Sequence, residues 1–148
     1  MGSGVWWMTV HIDDGYLWIG NGTDYLKVFC EHIFYSVIFM PELEHYEGGV
    51  NFGYDLGKTW VVIKATGVWL NTNTKFENFV SYITTWQQAN TLQVEVIRDG
   101  ANKVKIDGTN TIYPVLCSKG LADTEKMNED QEIFRIDNLN FEQRGAAS

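Results

Sequence analysis

His11 and Asp13 stand two residues apart in "VWWMTVHIDDGYLWI". Residues at that spacing on a strand share a face, so an imidazole and a carboxylate there could reach one metal ion. The pair has no third ligand at a recognisable spacing, and the segment reads better as an ordinary hairpin end. His32 sits in the apolar run "VFCEHIFYSVIFM" and reads as a histidine satisfied within a sheet. His45 lies among Glu42, Glu44 and Glu47, where solvated loop charge is the better reading. Glu42 and Glu95 are acids of the kind a glycosidase pairs, yet nothing in the sequence brings them together. "DTEKMNEDQE" places oxygen ligands at alternate positions, as calcium loops do, but lacks the glycine and closing glutamate of an EF-hand. Strings that cradle phosphates, expose a nucleophilic serine or hold zinc on a helix are all missing. The chain therefore reads as a non-enzyme with no catalytic residues, no metal and no cofactor.

The elements that would position these residues are mostly strands. "VWWMTVHI" (5–12) alternates, with Trp6, Met8, Val10 and Ile12 on one face. Asp13-Asp14-Gly15 reads as a hairpin turn, because Asp and Gly tolerate positive φ, and "YLWI" (16–19) as the returning strand. "GNGTD" (20–24) is a second breaker. The run from Tyr25 to Met40 is apolar on both faces. Such a strand is either covered on both sides or protrudes, over 25–49, as an arm that a neighbouring subunit covers. Pro41 ends it, and "ELEHYEGG" reads as an exposed acidic loop.

"TWVVIKATGVWL" (59–70) is the clearest strand, with Gly67 marking a bulge or a close backbone approach. Thr74 and Glu77 have the spacing of a capping box, and Phe76, Phe79, Val80, Ile83 and Trp86 recur at helical spacing. A helix over about 74–88, laying one aromatic face on a sheet, follows. "LQVEVIR" and "KVKID" flank the turn "DGAN" as a hairpin, and Pro114 gives "TIYPVL" an edge or a bulge. "SKGLADTEKMNEDQE" (118–132) reads as a charged loop. "IFRIDNLNF" is the last strand, and "EQRGAAS" is a flexible tail unless a neighbour holds it.

The 148 residues suit a single domain, and a hydrophobic fraction of 45% excludes a disordered chain. Six Trp, seven Tyr and eight Phe are many for this length, which suggests that some serve contacts between molecules. A formal charge of −8 with no basic run argues against sequence-specific nucleic-acid binding. The most apolar run is interrupted by Glu31 and His32 and is too short to span a bilayer, so no membrane partner is expected. The opening residues lack the pattern of a signal peptide. Cys30 and Cys117 lie far apart in apolar runs and read as two buried thiols. The fold class is therefore mainly β: an antiparallel β-sandwich or β-barrel with one short helix, occupying 1–148 as one domain.

At "YDLGKTWVVIKATGVWL", followed by the capped helix and "LQVEVIRDGANKVKIDG", the chain resembles tail tube and baseplate proteins of tailed viruses. The resemblance runs from about residue 50 to the strand "IFRIDNLNFEQ", ending near 143, and rests on the order of elements. It implies a structural virion protein (tail tube, tail completion or baseplate component). Such a subunit forms rings through β-sheet contacts with copies of itself and with other tail proteins. Phe34, Tyr35, Ile38 and Phe39, at the distal end of the long apolar run, are the expected subunit contacts. The alternative is a carbohydrate-binding β-sandwich whose Trp6, Trp7, Trp18 and Trp69 stack on sugar rings. A third option, an acidic mimic of nucleic acid, is weaker because the acids are spread over loops.

Overall fold

The computed structural model describes residues 6–39, 59–98, 101–119, 124–128 and 133–148. Their order is β1 (Trp6–Gly20), β2 (Tyr25–Phe39), β3 (Thr59–Leu70), α1 (Asn73–Gln88), β4 (Gln93–Arg98), β5 (Asn102–Lys103), β6 (Tyr113–Lys119), β7 (Thr124–Asn128) and β8 (Ile133–Gln143). All pairings are antiparallel. The sheet runs β1-β2-β3-β8-β6-β4, and a further β1–β4 pairing joins its two ends into a six-stranded barrel. β5 extends the β4 side as a short return strand, and β7 lies along the first part of β8. The mainly β, antiparallel fold with one short helix is as expected, and of the sandwich and the barrel it is the barrel.

The barrel closes along only part of its length. Gly20 pairs with Gln93, and Gln93 with Pro114. Two residues further along β6, Leu116 leads through Glu142, Val62 and Ser36 back to Thr9. So large a stagger means strongly tilted strands. It also means that β4 covers only Tyr16–Gly20 of β1. The first part of β1 has β2 on one side and no strand on the other among the described residues. Met8 and Val10 are there 56% and 37% exposed, although Val37 and Tyr35 opposite them are buried.

Asp13-Asp14-Gly15 is not a turn. β1 runs straight through it, and its register with β2 is unchanged from Trp6↔Phe39 to Gly20↔Tyr25. What breaks at this point is the facing. Asp13 and Asp14 both point outward before the inward residues resume at Gly15, Leu17 and Ile19. β2 switches its buried set from Val28 and Cys30 to Ile33, Tyr35 and Val37 at the same level. β3 does so between Ala65 and Val68, and β8 between Ile136 and Leu139. Positive φ at Asp14 (53°) and Gly67 (65°) supplies the reversal in two of these strands. Because all four strands switch together, the ladder stays in register while the sheet bends. The long run 25–39 is apolar on both faces because its two halves bury opposite faces.

The helix caps the closed end. It touches β1, β3, β6 and β8, and buries Phe79, Ile83 and Trp86, with Phe76 stacked on Phe134 at 4.4 Å. Its N-cap is Thr72 and not Thr74. Thr72 is extended (φ −147°), and its hydroxyl accepts from the Lys75 amide at 3.0 Å. The helix ends with Asn90 in the left-handed region (φ 60°), where Thr91 N–H donates to the Trp86 carbonyl and Asn90 N–H to that of Gln87. The Gln87 side chain then accepts from the Cys117 amide of β6 at 2.7 Å.

Two loop expectations change. Within 118–132, residues Thr124–Asn128 form β7 against β8. The C-terminal tail is held by its own chain: Ser148 exchanges backbone bonds with Ile112, and Arg144 donates to the Val115 carbonyl. Arg144 N–H also donates to the Pro114 carbonyl, and the buried Gln143 side chain accepts from Val61 N–H at 2.8 Å. "GNGTD" is the β1–β2 turn as expected, with the Asn21 carboxamide oxygen accepting from the Thr23 and Asp24 amides. Neither Cys30 nor Cys117 is in a disulfide, and burial pushes the Cys30 thiol pKa up.

Candidate functional site

The β1–β2 hairpin brings together three ligand side chains that are scattered in sequence. Its register sets Asp13 directly opposite His32 and His11 opposite Phe34. His11 and Asp13 are two apart on one strand, so all three polar groups share the outer face. His32 Nδ1 lies 2.7 Å from Asp13 Oδ1, and His11 Nε2 lies 2.9 Å from the same oxygen. The two ring nitrogens are 3.1 Å apart. The side chains are 45%, 67% and 46% exposed for His11, Asp13 and His32. His32 is thus no buried sheet histidine, and the H-x-D pair has the third partner that sequence spacing did not supply.

Ring protons alone cannot satisfy this triangle around an ionised Asp13. If both rings carry a proton on the contacting nitrogen, Asp13 accepts twice and the two N–H groups face each other. If one ring lacks that proton, its lone pair either faces the carboxylate or takes the other ring's proton while still touching the carboxylate. With the carboxylate ionised, one of the three contacts always joins two donors or two acceptors. The ring of His11 is held by Phe34, stacked at 4.4 Å and 12°. Beside it lies a shallow depression lined by Thr9, Phe34, Ser36, Val62, Lys64 and Asn140. The Asn140 Oδ1 atom is buried there without a hydrogen-bond partner.

A second polar cluster lies across the bend. Glu31 sits over Gly67, where an added Cβ would come within 2.4 Å of the Glu31 Cδ. The carboxylate accepts from Trp69 Nε1 and from Arg135 Nε (3.0 Å) and Nη2 (3.2 Å). Arg135 also pairs with Asp137. Hydrogen bonds from Arg135, then Trp69, hold the Glu31 carboxyl below its ordinary value. Every member is engaged, so this cluster ties β2, β3 and β8 together across the outer face.

The expected subunit contacts divide by face. Tyr35 is buried inward in the single chain, while Phe34 and Ile38 are half-buried on the outer face. The side chain of Phe39 lies outside the described residues. Among the tryptophans, Trp18 is stacked on Tyr25 at 4.8 Å with the Lys103 ammonium 5.4 Å from its ring, and Trp69 is bonded to Glu31. Neither presents a bare platform, and the side chains of Trp6 and Trp7 lie outside the described residues. So do Pro41, Glu42, Glu44, His45, Glu47, the stretch 42–49 and the "YDLGK" of the resemblance. The side chains of 124–132 do as well, so the calcium-like string gains no geometry.

Sequence spacing separates His32 from the pair because Asp13-Asp14-Gly15 has the residue types of a turn, whereas β1 continues through it. Had "GNGTD" been taken as the first turn of the chain, the pairing Gly20↔Tyr25 would have placed Asp13 opposite His32 by counting back. No helix among the described residues is long and apolar enough to cross a membrane. In comparisons with protein-family models, with curated proteins and with solved structures, nothing matches this chain.

Proposed function

We propose that the chain is a structural subunit that assembles with copies of itself through the exposed edge of β1. In this reading it is a component of a tailed-virus tail (tube, completion or baseplate), works in the virion beside other tail proteins, and performs no catalysis. The observation that supports it is the incomplete closure of the barrel. Trp6–Asp13 presents an edge with no partner among the described residues, and Met8 and Val10 leave apolar surface beside it. Unpaired N–H and C=O groups flanked by apolar side chains are a template for a strand of another molecule. Repeated around an axis, a contact between this edge and a different surface of the next copy closes into a ring. The order of elements shared with tail tube and baseplate proteins points the same way, and Phe34 and Ile38 lie on the outer face of the adjoining strand.

The test is size-exclusion chromatography with light scattering over micromolar to millimolar concentration, on the wild type and on Val10→Asp. Val10 is already exposed, so the substitution leaves the monomer folded and buries an unpaired charge only on association. Wild-type rings or tubes, and a folded monomeric variant, are expected. A wild type that stays monomeric throughout, or a variant that assembles as well as the wild type, overturns the reading.

A further inference from the structure

We propose that His11, His32 and Asp13 bind one divalent first-row transition-metal ion on the outer face of the β1–β2 hairpin. Two imidazoles and one carboxylate suit iron(II), cobalt, nickel, copper or zinc, whereas magnesium and calcium favour all-oxygen shells. The donor separations of 2.7, 2.9 and 3.1 Å fit such an ion. With bonds of about 2.0–2.1 Å to each donor, it sits about 1.2 Å above their plane and sees them at angles of about 80–100°. Angles near a right angle describe three ligands on one face of an octahedron, not three corners of a tetrahedron, so the opposite face stays open for water or an added ligand.

Three further observations favour the ion. Around an ionised Asp13 no choice of ring protons satisfies all three contacts, whereas a cation gives all three lone pairs one acceptor. The backbone beneath keeps one register from end to end of the hairpin, so the donors converge without needing a loop to close. Phe34 stacks on the His11 ring and fixes its orientation. All three ligands come from one chain, so the site does not depend on assembly.

Metal-free protein is titrated with zinc and with cobalt(II) by calorimetry, with magnesium as control. One ion per chain, bound with a dissociation constant on the order of micromolar or below, is expected. His11→Ala and His32→Ala should each weaken binding by about a hundredfold or more. The metal-free variants should melt with the wild type, because both rings are exposed. In the wild type, cobalt should give the weak visible bands of a five- or six-coordinate ion and shift the ring protons of His11 and His32. These shifts keep the test decisive should a variant fail to fold. Failure to take up either ion, uptake that survives both substitutions, cobalt shifts centred on other residues, or displacement by equimolar magnesium overturns the proposal.

Discussion

At the closed end of the barrel, Leu17 and Ile19 of β1 lie between β2 and β4 and have no exposure. Toward the other end of the same strand, Met8 is more than half exposed and Val10 more than a third, and three ligand side chains converge outside. The two ends share strands and pairing rules and differ in what lies across the second edge. Where β4 completes the ring and the helix covers its mouth, apolar side chains form a core whose loss should unfold the domain. Where the stagger carries β1 past β4, the same strand has no second partner strand among the described residues and keeps exposed side chains, the usual materials of recognition.

Truncation should separate the two ends most sharply. Phe79→Ala removes a fully buried ring from the helix that caps the closed end, and should cost about 3–5 kcal/mol of unfolding free energy. Val10→Ala at the open end should stay within about 0.5 kcal/mol. Equal losses in denaturant titrations would break the comparison.

The bend between the ends comes next. Gly67→Ala forces a side chain into positive φ and against the pinned Glu31 carboxylate, and should cost about 1–3 kcal/mol. Gly108 also has positive φ (87°) but open space around it, so Gly108→Ala carries only the backbone strain, about 1 kcal/mol. If the two variants melted together, Glu31 would not be packed over the bend.

The seam at β4 and β6 should show itself in alkali. The Tyr113 phenol is buried beside the Asp107–Asn110 turn, accepts from Asp107 N–H and donates to the Asn110 carbonyl. Burial is the main cause that pushes its pKa from 10 up to about 12. The folded pKa is raised, so its contribution is complete below pH 10 and is lost as pH rises toward 12. Melts between pH 8 and pH 12 should therefore fall more steeply for the wild type than for Tyr113→Phe; parallel curves would place the phenol in solvent.

The smallest effect tests the helix start. Thr72→Ala should cost about 1 kcal/mol, and Thr74→Ala only a few tenths, since the Thr72 hydroxyl holds the Lys75 amide. The reverse order would restore the cap to Thr74.

Much of this was legible locally. Helical spacing of Phe76, Phe79, Ile83 and Trp86 located the helix, because a period near 3.6 depends on neighbours in the chain. The Asn21–Asp24 turn and the β4–β5 return were readable from glycine and asparagine, whose backbone freedom is a property of the residue. Asp14 misled for the same reason. Tolerance of positive φ marks a tight turn or a reversal of facing within a continuing strand, and only the partner strand distinguishes them.

What the sequence by itself determined is thus the mainly β class, the single helix and the apolar strand runs that hold His11 and His32. Local periodicity and residue chemistry suffice for that. The tertiary structure decided which edges met, that β1 joins β4 over only five residues, and that four strands reverse facing at one level. It also decided that His32 stands across from Asp13, and so that three separated polar residues form one site. Register comes from pairing between distant segments and from the bend they share, and no window of the chain contains both partners.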